Sequence, residues 1–209
     1  MPPTTETFTP RQQQASATKA RIAEAAMRLF AEQGFAATST RQIAQAAGIS
    51  EGLIFRYFPT KLELLLALSG TRRTLTGEVK GLLEEVGDQP ASVCLRRVAE
   101  SFMRLARLEA HFLNMMLGES RTNDELYALF AHIVGSTAAL LAGYLDTRVK
   151  AGELRRDLAT ESAARSFLGS LVLFFLTHKH LSDKAWAEAS QRYAAEVLDL
   201  WFRGALSSA

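Results

Sequence analysis

Four histidines, the single Cys94 and a scatter of serines stand first among the residues of this chain that could act as metal ligand, general base or nucleophile. Their spacing assembles no serine-histidine-acid set and no zinc-ligand pattern. His178 and His180 form an HxH pair, but two residues apart on a helix they diverge and cannot share an ion. The expectation is no catalytic residue, no metal and no cofactor. Side chains of another kind crowd residues 39–61, STRQIAQAAGISEGLIFRYFPTK. This run holds Arg41, Glu51 and Leu53, side-chain types that can meet the edges of bases, and a lysine, Lys61, at the start of a helix, where an anion is favoured.

Such contacts need short, firmly placed helices, and the same run supplies their punctuation. Ser39 with Gln42 three residues on is a capping-box start, and Ile43, Ala44 and Ala47 recur at helical spacing. Gly48 stands where a left-handed turn needs no side chain. Ser50 can cap the next helix through its hydroxyl. Ile54 and Phe58 give that helix an inner face, leaving Glu51, Leu53, Phe55 and Tyr57 pointing elsewhere. Pro59 ends it, and Thr60 can cap a third helix from Lys61. A short second helix with its apolar face inward can read a major groove.

At these residues the chain resembles the TetR family of one-component transcriptional regulators. That family's first domain typically carries a Thr-rich helix start, Ile-Ala, Ala-Gly-Val-Ser, a Gly, Leu-Tyr-x-His-Phe, a small polar residue and Lys. The matching run is Ser39, Ile43-Ala44, Ala47-Gly48-Ile49-Ser50, Gly52, Ile54-Phe55-Arg56-Tyr57-Phe58, Thr60 and Lys61. The resemblance implies DNA contacts from Thr40, Arg41, Ser50, Glu51, Gly52, Leu53, Phe55, Arg56, Tyr57 and Lys61. Thr40 matches a phosphate-contacting position. Phe55 stands where a phosphate-bonding tyrosine is usual, so only its apolar contact remains. Tyr57 replaces a histidine and offers its own hydroxyl. Arg56 faces either backbone or solvent.

Composition agrees with a globular protein: of 209 residues 48% are hydrophobic and 22% charged. A net charge of +2 excludes a uniformly basic coat, though not a local basic surface. One cysteine permits no intramolecular disulfide and suits a reducing compartment as a buried thiol. The N-terminus MPPTTETFTPRQQQ lacks the apolar core of a secretory signal. The longest apolar run, 167–176, falls short of the ~20 residues a membrane crossing needs. The expectation is a soluble, cytoplasmic chain with no membrane partner.

The remaining pattern is all-α, about nine helices. A tail over 1–15 is read as disordered; Arg11 in it and Lys19 just beyond are either solvated or follow a DNA backbone or enter a minor groove. A DNA-binding bundle follows over 16–60, its first helix running from about Ser16 to Gln33. An effector-binding and dimerisation domain takes 61–209. It opens with one long helix from Lys61 through Val79, Leu82 and Leu83, with Gly70, Gly77 and Gly81 as weak points. Further helices are predicted over roughly 90–107, 109–118, 124–150, 160–178 and 183–203.

Phe102, Met103, His111, Phe112, Met115, Met116, Tyr127, Phe130, Phe167 and Phe174 are read as lining an effector cavity or as ordinary core. Asn114, Arg104 and His178 join His111 as possible polar anchors. Leu168, Leu171, Val172 and Phe175, with Trp186, Tyr193, Val197 and Trp201, are read as a homodimer interface of two helices from each subunit.

The resemblance implies a homodimer that binds a palindromic double-stranded operator and is released by a small, hydrophobic or amphipathic effector: a repressor. An activator of the same family and a helical adaptor without DNA are the competing readings.

Overall fold

The computed structural model describes residues 9–70 and 74–205, and the side chains of Arg11 and His111 lie outside that description. Ten helices form among the described residues and no β-strand does. They are α1 (Pro10–Gln33), α2 (Thr40–Ala47), α3 (Glu51–Tyr57), α4 (Lys61–Gly70), α5 (Leu75–Val86), α6 (Ala91–Leu108), α7 (Ala110–Glu119), α8 (Asp124–Lys150), α9 (Thr160–His178) and α10 (Asp183–Ala205). They divide into two compact units, one of residues 1–72 with 115–127, the other of 73–114 with 128–209.

The first unit is built on the apolar stripe of α1. Ile22, Ala26 and Phe30 are buried with Phe35, Ile43, Ala44, Ile54, Phe58, Leu64 and Leu65. Each large side chain so enclosed contributes roughly 1.5–3 kcal/mol. Helix α1 starts at Pro10 rather than near Ser16, so residues 10–15 of the expected tail are helical, while residues 1–8 lie outside the described residues. Thr9 makes a reciprocal capping box with Gln12, and Pro10 already holds the helical φ of a first turn.

The single long helix expected from Lys61 is two helices. Helix α4 ends at Gly70, and Thr74 is extended (φ −81°, ψ 150°) with its hydroxyl accepting from the Gly77 amide at 3.1 Å. A threonine cap restarts the backbone bonds there, at the end of the polar run SGTRRT that interrupts the apolar pattern. That break supplies the tenth helix.

In the second unit α6 is central, packing on α5, α9 and α10. Ala91, Cys94, Leu95, Val98, Ala99, Phe102 and Met103 form its buried side at spacings of one, three and four. The amide of Ala91 donates to Glu153 Oε1 at 2.7 Å, so a distant carboxylate caps this helix. Cys94 is fully buried, and burial pushes its thiol pKa up, against the lowering by Tyr144, Arg148 and Arg97.

The residues expected to pair two subunits are largely occupied within one. Leu168, Leu171, Phe175 and Trp186 are buried, and Val172, Tyr193, Val197 and Trp201 are half-buried. The Tyr193 hydroxyl donates to the Ser170 carbonyl at 3.0 Å, and Trp201 Nε1 to that of Ala163 at 3.3 Å. These groups make the seam between α9 and α10 of one chain. The apolar residues left outside are Leu173 (60% exposed) and Leu176 (41%) on α9 and Leu200 (70%) on α10.

The residues expected to line a cavity fall in both units. Phe102, Met103, Phe112, Phe130, Phe167 and Phe174 belong to the second unit, Met115, Met116 and Tyr127 to the first. Phe174 stacks on His178 (4.3 Å between centroids) and Tyr193 (4.7 Å) and meets Trp186 edge-on, so its ring is core packing. Tyr127 is 60% exposed, against an enclosed role. Phe112 and Phe130 are half-buried, as are Ile133 and Val134 on α8. Asn114 accepts from Lys179 Nζ at 2.8 Å. A groove of about 630 Å³ lies elsewhere, lined by Glu78, Glu85, Arg97, Glu100, Ser101 and Arg104 among others. Arg104 thus lines a polar groove between α5 and α6 instead of anchoring an apolar cavity.

By length and composition α8 is apolar enough to cross a membrane. His132, Ser136 and Thr137 interrupt its apolar sequence, which is why no unbroken run marks it.

Candidate nucleic-acid interface

The site is assembled from α2, α3 and the turn before them. Ser39 is extended, its hydroxyl accepts from the Gln42 amide at 3.2 Å, and Gln42 Oε1 accepts from the Ser39 amide at 2.8 Å. This reciprocal pair satisfies two amides that a helix start leaves free. Ile43, Ala44 and Ala47 are buried, which fixes the rotation of α2 and leaves Arg41 exposed. Gly48 closes α2 at φ +64°, ψ 42°. The Ile49 amide then donates back to the Ala44 carbonyl at 3.0 Å, the wrapped-back bond that a left-handed glycine allows.

Helix α3 departs from expectation at its start: Ser50 is extended, but its hydroxyl makes no cap bond. Its carbonyl accepts from the Leu53 amide at 3.0 Å instead. The opposite end follows the sequence. Phe58 is extended (φ −142°, ψ 93°), as steric conflict with a following proline requires, and Thr60 caps α4 by accepting from the Glu63 amide at 3.0 Å.

Ile54 and Phe58 anchor α3 inward. Ser50, Gly52, Phe55 and Arg56 are exposed, whereas Thr40, Glu51, Leu53, Tyr57 and Lys61 are half-buried. Two residues read separately in the sequence are brought together: the Thr40 hydroxyl donates to Glu51 Oε1 at 2.5 Å, tying the start of α2 to that of α3. Lys19 of α1 stands over the Tyr57 ring, 5.8 Å from its centroid.

Lys61 is placed otherwise than its motif position implies. Its ammonium donates to the carbonyls of Phe35 at 2.7 Å and Thr38 at 2.9 Å and lies 4.3 Å from the Phe35 ring centroid. Burial lowers its pKa, against the raising influence of Glu119 and Glu125. The lysine is therefore a clasp on the turn between α1 and α2, because its stem is drawn into the gap beside Phe35.

The same turn holds a residue the sequence reading missed. Glu119 accepts from the Phe35 amide through Oε1 at 2.7 Å and from the Ala36 amide through Oε2 at 2.8 Å. Gly34 beside it has φ +87°, and a Cβ there would stand 2.5 Å from Glu119 Oε1. The positive φ is what calls for glycine at this position. Thr38, buried at the turn's end, donates to the Gly34 carbonyl at 2.6 Å and accepts from Gln33 Nε2 at 3.1 Å. Glu119 lies over eighty residues from its partners at the end of a short apolar helix, where no sequence spacing marks it.

Residues 22–68 match the sequence profile described as bacterial regulatory proteins, tetR family. Over 187 residues the chain is 25% identical to the uncharacterized HTH-type transcriptional regulator YvkB of Bacillus subtilis, covering 90% of this chain and 96% of that one. The structure is similar to that of the flavonoid-responsive regulator FrrA (26% identity, TM-score 0.66, 93% of this chain and 100% of that chain). It also shares the fold of the transcriptional regulator FadR of Bacillus subtilis, solved in complex with stearoyl-CoA (22% identity, TM-score 0.70, 87% and 96%).

Proposed function

Because the chain belongs to the TetR family of transcriptional regulators, we propose that it is a homodimeric repressor that binds a palindromic duplex operator and lets go on binding a small apolar or amphipathic effector. The observation carrying this reading is the outward face of α3, with Ser50, Gly52, Phe55 and Arg56 exposed while Ile54 and Phe58 are anchored within. Arg41, exposed on α2, supplies the guanine-reading group, and Thr40 and Glu51 complete the face as a hydrogen-bonded pair. Ser50, Gly52 and Leu53 meet base edges, Phe55, Arg56 and Tyr57 the flanking backbone. Its place of action is the cytoplasm, and it turns over no substrate.

Two copies pair through Leu173 and Leu176 of α9 and Leu200 of α10, apolar groups otherwise left to water. A twofold pair matches half-sites ~34–36 Å apart. Support for an apolar effector comes from the half-buried Phe112, Phe130, Ile133 and Val134 of the second unit. The flavonoid-responsive and stearoyl-CoA-bound relatives point to the same ligand chemistry. Release requires the effector to prefer the state that does not bind DNA, by ~1–3 kcal/mol for a typical coupling.

Selection from a pool of random duplexes tests the reading. Recovery of one palindromic sequence, bound in a salt-sensitive manner and released by acyl-CoA or flavonoid, is expected. Selection of no sequence overturns DNA reading; undiminished binding at saturating acyl-CoA and flavonoid overturns release by these compounds.

A further inference from the structure

We propose that Glu119 is a positioning residue for DNA reading, acting through the turn between α1 and α2; this rests on the function proposed above. The turn is five residues long, from Gly34 to Thr38, and leads straight into Ser39, Thr40 and Arg41. Its backbone is held by two opposite charges. The Glu119 carboxylate takes the amides of Phe35 and Ala36, one on each oxygen, at 2.7 and 2.8 Å. The Lys61 ammonium takes the carbonyls of Phe35 and Thr38. Charge-assisted bonds of this kind are roughly twice as strong as neutral ones. Two of them from a planar carboxylate fix the orientation of the peptide units as well as their distance.

Two separate observations show that the fit is specific. A Cβ at Gly34 would stand 2.5 Å from Glu119 Oε1, so with glycine there the carboxylate seats directly against the turn's backbone. Glu119 also raises the pKa of Lys61 against burial, so the two charges attract across the turn. Within a single peptide unit, at Phe35, the acid holds the amide and the lysine holds the carbonyl. Loss of the carboxylate frees one side of this arrangement, and the start of α2 follows through Thr38. Arg41 lies three residues beyond. A displacement there of about 1 Å is enough to spoil a bidentate contact to a base edge.

The test compares full-length wild type, Glu119→Ala and Glu119→Gln, measured on the duplex that wild type selects and on a scrambled duplex. Glutamine keeps one acceptor oxygen but sets an NH2 group against the other amide. At a temperature where circular dichroism shows all three folded, specific affinity should fall by about tenfold or more in Glu119→Ala and by less in Glu119→Gln. Scrambled-duplex affinity should stay within about twofold, since phosphate attraction does not depend on where Arg41 points. Amide exchange at Phe35 and Ala36 should quicken in parallel. A merely stabilising role would lower the melting temperature without changing the specific-to-scrambled ratio, and that result overturns the proposal. If the alanine variant fails to fold, the glutamine variant decides by the same ratio. Wild type that selects no duplex brings down the DNA-reading function itself, a separate outcome.

Discussion

Arg41 and Lys61 sit at the two ends of the reading motif and bear the same charge, but their surroundings assign them different work. The guanidinium of Arg41 is exposed at the start of α2. Arg41→Ala should cost about 1–3 kcal/mol of discrimination at one base-pair position and relax preference there, seen by comparing affinities on single-substituted duplexes. The Lys61 ammonium holds the carbonyls of Phe35 and Thr38. Lys61→Met keeps the apolar stem and removes the donor, so unfolding in urea should show a loss of about 1–2 kcal/mol. The slope of log affinity on log salt should hardly change, because the charge removed faces protein. A slope reduced by a full phosphate contact would place Lys61 on DNA instead.

At the scale of elements, caps decide where helices begin, and caps are local enough to be read from sequence. Ser39→Ala removes the hydroxyl that accepts from Gln42 and should lower stability by about 1 kcal/mol, checked by thermal unfolding. The Ser39–Gln42 box, Gly48, Pro59 and Thr60 each announced themselves by residue type, and the periods of Ile43-Ala44-Ala47 and Ile54–Phe58 set the inward faces. All-α architecture and the reading motif were legible for that reason. What stayed hidden depends on partners distant in sequence or on competing local signals. Thr74 restarts a helix after the polar run SGTRRT, where a lone weak point at Gly70 competed with the leucines on either side. Ser50 has the residue type of a cap but forms no cap bond. The stripe from Leu168 to Phe175 fixes that this face is covered, and only the packing of α10 shows that the same chain covers it. Glu119 and Glu153 reach amides 83 and 62 residues away, which no spacing encodes.

For the molecule as a whole, Leu173, Leu176 and Leu200 are the outward apolar groups of the last two helices. The double substitution Leu173→Glu and Leu176→Glu should leave a folded monomer by sedimentation, since neither side chain is in the core. Operator affinity should then fall about 10²-fold or more, as one head loses the advantage of a tethered second. A dimer that survives both charges would move the interface to another face.

The clasp on Lys61 has a consequence for how the protein finds its target. With that ammonium turned inward, Arg41 and Arg56 are the cations that residues 40–61 present outward, and Glu51 lies among them. Sliding along a chromosome is sustained by phosphate neutralisation. The motif brings two arginines to that task, so the exposed Lys19, Arg21 and Arg28 on α1 of the same unit would have to supply the rest of any hold on random sequence, leaving α2 and α3 to shape and base edges.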